Sequence, residues 1–386
     1  MLNSSRNKFI NHFFCTIYFV WCMWLQVQNT INIQFRQKVI VGRFITTLVI
    51  FLVIMLILLT TTNIEKNDII FLVIFLYLGI ISALHESGLV SLCAFLMAYL
   101  VKNISINSIL KTFILFSGLT LFIVIILNSI GVIPNALQYY GLNTNRVRST
   151  LGFSYYSFAS EMVFYLICAY IALRKKEISY SELILLSGIN YYIFYFTNAR
   201  NPFILSSLFI MISFVIKIFN FNGTISKNKV VRFLLEYCFP LGFVTVLIMT
   251  FLLPSNLFQN LNLILSNRLI LNLNGFRNYG ISLFGQKISF ITMDTQGFVS
   301  SSYNYIDSAY LQALFLNGVL YLAIILVLSV ILCKKIVKSQ DLFFSIALVL
   351  MAIHAIFDPP LLWVWFSPFC LILGVVNKQQ NILNIE

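Results

Sequence analysis

GRFITTLVIFLVIMLILLTTT, Gly42 to Thr62, carries one charged side chain, Arg43, and no proline. Wound as an α-helix at 1.5 Å per residue, a run of this length reaches about 30 Å, the thickness of a bilayer's hydrocarbon layer. A lone strand there would leave its N–H and C=O groups without partners in lipid, so the stretch reads as a helix. Apolar runs of the same kind recur on both sides of it. The chain has 386 residues, 60% of them hydrophobic and 10% charged, whereas about a quarter of a soluble domain is charged. A water-soluble fold is excluded. The expectation is an all-α, polytopic integral membrane protein, a single domain over 1–386 with about twelve transmembrane helices.

The expected spans are 9–27, 42–62, 69–84, 88–101, 112–133, 157–173, 183–198, 202–219, 233–253, 309–333, 342–357 and 359–376. The first follows Arg6 and Lys8, as in a signal peptide, but it holds Trp21 and Trp24 and lacks a small-residue cleavage site, so it reads as an uncleaved span. All seven cysteines fall inside spans without a C-x-x-C pair and read as small apolar fillers. The formal charge of +13 belongs to cations flanking spans, and no nucleic-acid module is visible. Lys102, Lys111, Arg174 to Lys176, Lys217 to Arg232 and Lys334 to Lys338 mark the cytoplasmic side, which also takes both termini; Arg36, Lys38 and Arg43 run against this rule. Three segments then face outward: Pro134 to Tyr156, the hairpin Thr197 to Pro202, and the long, partly helical interval Pro254 to Ser308.

The chain lacks a G-x-x-x-x-G-K-[ST] loop, a Rossmann glycine fingerprint, an H-E-x-x-H pair and a D-x-D, which disfavours soluble nucleotide substrates. The outer face offers cations instead. Arg146 and Arg148 stand in NRVRSTLGF, in a segment without an acid; Arg200 stands in TNARNP; Arg268, Arg277 and Lys287 share Asn267 to Phe290, with Gly275, Gly280 and Gly285 at turns or close backbone approaches. Leu257, Leu261, Ile264 and Leu265 are spaced i, i+4, i+7, i+8, and Arg268 at i+11 falls on the same stripe, so a continuous helix would bury its guanidinium. A charge so placed is either paired inside the protein or aimed at a bound anion.

Outward carboxylates are few: Glu161, Asp294, Asp307 and Asp358. They are scattered over separate segments without the clustered oxygens of a Mg²⁺ or Mn²⁺ site, so neither a metal nor another cofactor is expected. Glu161 and Asp307 are the candidates for a general base, and either could instead serve as an ion-pair partner for an arginine. His354 and Asp358 share the i, i+4 spacing of a polar pair near the outer end of a span.

Taken together, NRVRSTLGFSYYSF opening a span, a cytoplasmic LRKK, FTNAR ending the next span, NRL and YGISLFGQKI in a long outer interval, and YNYIDSAYLQALFLNGVLY after it resemble the Wzy-type polymerases of O-antigen, capsular and exopolysaccharide repeat units. The resemblance covers about residues 140–330; Ser154, Tyr155 and Tyr156 replace the His-Pro-Asn-like stretch that relatives often carry after the Gly-Phe. It implies a bacterial inner-membrane glycosyltransferase that acts on undecaprenyl-pyrophosphate-linked oligosaccharide at the outer face, surrounded by membrane lipid, with a chain-length regulator and a flippase as partners. In that setting Arg148, Arg200 and Arg268 would hold pyrophosphate oxygens, with Arg146, Arg277 and Lys287 in support. Glu161 or Asp307 would take the acceptor's proton. Tyr303, Tyr305 and Tyr310 would offer stacking faces to the sugars, and His354 with Asp358 would face the site. An O-antigen ligase-like transferase would use the same donor with another acceptor. A lipid-linked oligosaccharide flippase would keep its loops short, against the length of Pro254 to Ser308.

Alkaline phosphatase fused near Ser300 is expected to be active and a cytoplasmic reporter fused there inactive; the reverse would turn the long interval, and every site assignment in it, to the wrong side.

Overall fold

The computed structural model describes residues 2–32, 37–60, 65–86, 88–139, 147–219, 225, 228–292 and 303–378, so Arg146 and Asp294 lie outside the described residues. The chain is a helical membrane protein. Among the described residues, six helices are long and apolar enough to cross a bilayer: α1 (Leu2–Asn29, from Arg6), α2 (Lys38–Thr60), α3 (Lys66–His85), α5 (Ile106–Ser129), α8 (Arg200–Ile218) and the broken run from Ala309 to Lys338. Shorter or more polar helices complete the bundle: α4 (Leu89–Leu100), α6 (Phe158–Arg174) and α7 (Tyr180–Thr197). On α2, Ile40, Phe44, Phe51 and Leu58 are all at least 65% exposed, an apolar surface suited to lipid. The centre is different. α4 and α6 are buried along almost their whole length, packed against α3, α5 and the C-terminal segments.

Prolines explain where the helices break. α9 (Lys229–Glu236) and α10 (Cys238–Phe251) meet at 77° and form a seventh candidate span if taken together. Pro240 would clash with the Glu236 carbonyl in a continuous helix, so the turn falls between them. The expected span 359–376 is not one helix. After α15 (Leu342–Phe357) the chain forms a 3-10 turn at Pro360–Leu362, the short α16 (Phe369–Ile372) and another 3-10 turn at Leu373–Asn377. Pro359, Pro360 and Pro368 lack N–H donors, and Asp358, held extended before Pro359, ends α15. Nearly all of this segment is buried, the one place where irregular backbone is tolerated at membrane depth.

The connections between helices also depart from all-helical expectation. β1 (Leu137–Tyr139) pairs antiparallel with β2 (Val147–Ser149), Gln138 opposite Arg148. Asn32 N donates to Gly152 O at 2.9 Å and Ser154 N to Thr30 O at 2.7 Å, tying the end of α1 to the entry of α6. In the long interval, the stripe through Leu257 and Arg268 is a misreading. α11 (Ser255–Ile264) ends, Asn267 turns at φ +67°, and α12 (Arg268–Tyr279) starts a new helix, so Leu257 and Ile264 face outward while Arg268 turns inward.

The glycines that punctuate this interval have a steric cause. α13 (Ala309–Gln312) runs through a wide π turn at Ala313–Asn317 into Gly318, which has φ +90°, and α14 (Gly318–Lys338) follows. Residues 282–286 dock on that break: Gln286 N donates to Leu316 O at 2.9 Å and Val319 N to Ser282 O at 3.0 Å. Gly285 sits at φ +87°, and a Cβ there would lie 2.1 Å from Leu316 O. Gly280, at φ +65°, faces open space.

Gly285→Ala is therefore expected to lower the melting midpoint in detergent, followed through exposure of the buried thiols to a maleimide dye, by more than Gly280→Ala. The latter carries only the backbone strain of a left-handed residue, about 1–3 kcal/mol. Equal shifts would mean that residues 282–286 do not dock tightly on the helix break.

Candidate functional site

A buried asparagine sets the corner from which the site grows. Asn262 accepts from Ile270 N at 3.1 Å and donates to Asn267 Oδ1 at 2.9 Å, closing the turn between α11 and α12. Arg268, the first residue of α12, is thereby pointed at two acids from distant parts of the chain. Its Nε lies 3.2 Å from Asp307 Oδ2 and its Nη2 lies 3.1 Å from Asp358 Oδ1. Asp307 closes the long interval, and Asp358 caps the end of α15. The second oxygen of Asp358 accepts from Asn201 at the start of α8 and lies 3.4 Å from His354 Nε2. One carboxylate so gathers α8, α12 and α15. His354 is itself sealed, stacked on Phe164 at 4.4 Å and 3.4 Å from the Tyr165 hydroxyl.

A second cation approaches along the β-hairpin. Arg148 on β2 is buried, its guanidinium 4.1 Å above the ring of Tyr156. Tyr156 lies within electrostatic range of Arg148, Arg268, Asp307 and Asp358, so it links the two arginines. Ser157, just before α6, donates to Glu161 Oε1 in its first turn at 2.6 Å, while buried Oε2 has no hydrogen-bond partner among the described residues. Glu161 is within electrostatic range of Asp358, Arg268 and Asp307.

Arg268 is not sealed off, for 21% of its side chain is exposed, as is 19% of Asp307. Burial pushes the Asp307 carboxyl above its usual range, against the pull of the Arg268 guanidinium. Nε and Nη2 of Arg268 serve the two acids, so the guanidinium is shared between two segments. The gap beside the pair, lined by Asn272 and Ser308, measures about 10 Å³, and a ligand larger than a water must dock at its mouth.

The structure brings together Arg148, Arg268, Glu161, Asp307 and His354. Arg200, Arg277 and Lys287 are exposed and make no ion pair among the described residues, although Arg200 adjoins Asn201 of the cluster. Tyr305 packs edge-on against Phe290 at 5.3 Å, and Tyr303 is half-buried two residues before it. Sequence reasoning placed Asp358 only as the partner of His354 and missed Asn201 and Tyr156. The i, i+4 spacing pointed to His354, but no spacing could show that α8 and α12 converge on the same carboxylate. Among the described residues no three His, Cys, Asp or Glu side chains stand close enough to hold a metal. No family model, curated protein or solved structure matches this sequence.

Removing one member of a buried ion pair strands the other, at a cost of about 3–5 kcal/mol. Asp358→Asn and Arg268→Ala should each lower the melting midpoint, and the double variant should lose clearly less than the sum of the two. Additive losses would show that the two residues do not act as a unit.

Proposed function

We propose that this protein is a polysaccharide repeat-unit polymerase of the bacterial inner membrane, a chain of about twelve spans with its termini in the cytoplasm. Its substrates would be lipid-pyrophosphate-linked oligosaccharides presented at the outer face. The observation that carries this reading is the half-open cluster in which Arg268 is held by Asp307 and Asp358 beside Arg148 and a carboxylate with an unused oxygen. The motif order that resembles Wzy-type polymerases supports it.

In the proposed reaction a hydroxyl of the acceptor unit attacks the anomeric carbon of the growing chain. The bond from that carbon to the lipid pyrophosphate breaks, and the electron pair leaves with the pyrophosphate. Guanidinium groups stabilise the charge that builds on the leaving oxygens because they are fixed before the reaction starts. Arg268 enters with its charge more than offset by two acids, so the phosphates also need buried Arg148 and the exposed cations Arg200, Arg277 and Lys287. Glu161 is the better base of the two candidates. Asp307 is engaged by Arg268, whereas Glu161 Oε2 has no donor among the described residues.

Purified protein in nanodiscs, given lipid-linked repeat units, should lengthen chains in excess EDTA. Arg268→Ala and Glu161→Gln should each lower the rate at least a hundredfold, and Arg268→Lys should restore only part of it, since an ammonium cannot fork to two oxygens (about 10²–10³ for one lost charge-stabilising donor). Transfer to a lipid A core acceptor without chain growth would instead identify a ligase. Full activity of Arg268→Ala would remove the arginine clamp from the mechanism.

A further inference from the structure

The outer end of the bundle holds a second concave site that the ion cluster does not use. A cleft of about 310 Å³ opens between the end of α1, the start of α4, the start of α6 and the segment after α15. Its walls are aromatic, Phe158, Trp363, Trp365 and Phe366, and its mouth carries the amides of Gln28 and Asn29. Through Val90, Trp363 and Trp365 it adjoins a smaller cavity of about 30 Å³ whose polar lining includes Glu86, Ser82, Ser91 and Gln312. Glu86 is held there by Ser82 and by Asn317 at the end of the π turn.

Two details give the cleft a ligand chemistry. Trp363 and Trp365 stack in parallel, rings 5.7 Å apart and 17° from coplanar, presenting flat faces. The indole N–H of Trp365, a residue 8% exposed, has no acceptor among the described residues, whereas a buried tryptophan normally finds one. Its position is fixed all the same, because Gln26 Nε2 donates to the Trp365 carbonyl at 2.8 Å. Flat aromatic faces for C–H surfaces, with amides, hydroxyls, a carboxylate and an idle N–H for hydroxyl groups, match a sugar better than a hydrocarbon chain. The volume is at the lower end of small-molecule sites, roughly 300–1,000 Å³.

The cleft also adjoins the reaction site. Phe366 meets Phe158 at 5.1 Å, Phe158 meets Tyr155 at 5.6 Å, Tyr155 meets Tyr156 at 4.6 Å, and Arg148 lies over Tyr156. From Asp358 of the ion cluster to Trp363 the chain runs five residues, through Pro359 and Pro360. We propose that this cleft is a saccharide subsite that holds sugar residues of a substrate while its pyrophosphate lies at the arginines. The inference rests on the polymerase reading for the identity of the sugar, and it assigns Trp363, Trp365 and Phe158 as binding residues.

The test measures binding apart from turnover. The oligosaccharide of the repeat unit, freed from its lipid by mild acid, is titrated into protein in nanodiscs and followed by saturation-transfer NMR. Trp365→Phe, which keeps an aromatic ring and loses only the N–H, should weaken binding about fivefold, and Trp363→Ala about tenfold. No saturable oligosaccharide binding, unchanged binding in both tryptophan variants, or displacement of the sugar by undecaprenyl monophosphate alone would each overturn the subsite. Polymer formation by the unaltered protein would in those cases leave the polymerase reading standing. Sugar binding lost in the tryptophan variants of a protein that makes no polymer would keep the subsite and remove that reading.

Discussion

A guanidinium divided between two carboxylates is the contact that ties the long interval 254–308 to the helical bundle. Arg268 comes from the long interval, Asp307 from its far end and Asp358 from the end of α15, so one side chain fixes three segments that are remote in sequence. Asn201 adds the start of α8. In a chain that is 10% charged, most polar groups sit at span ends, and few can cross-link the bundle from inside. A buried pair is weak as a source of stability but strong as a source of position, because either carboxylate would lose its counter-charge if the guanidinium moved away from it.

That constraint explains why the supporting cast is largely apolar or aromatic. Tyr156 lies flat beneath Arg148, and Phe164 stacks on His354. Such faces hold a cation or an imidazole in place without adding another charge. The backbone does similar work in the loops. Gly285 and Gly318 approach so closely that side chains are excluded, which presses residues 282–286 onto the start of α14.

Much of the fold was legible because lipid imposes a length and a composition on each helix. Runs such as Gly42 to Thr62 could be read without any knowledge of their neighbours. The segment 359–376 was not, since hydropathy registers its apolar side chains and ignores Pro359, Pro360 and Pro368. The candidate site was legible by residue type. Arg148, Arg268, Glu161, Asp307 and His354 stood out as polar groups in an oily chain. Their partnership was not, because Asp358, Asn201 and Tyr156 are brought in by helix packing, which leaves no periodic trace. The stripe from Leu257 to Arg268 shows the opposite failure: a helical spacing persisted in the sequence across a turn that Asn262 and Asn267 impose.

The broken segment after α15 has a consequence for biosynthesis. Its 3-10 turns and the four-residue α16 leave amides and carbonyls that the segment cannot satisfy by itself. An insertion machinery that releases helices sideways into lipid therefore has no stable unit to release here. The segment becomes acceptable in the bilayer only once α4, α6 and α10 have formed the chamber that covers it. Assembly of this protein is thus ordered, with Trp363, Trp365 and Phe369 entering a structure that the earlier helices have already built.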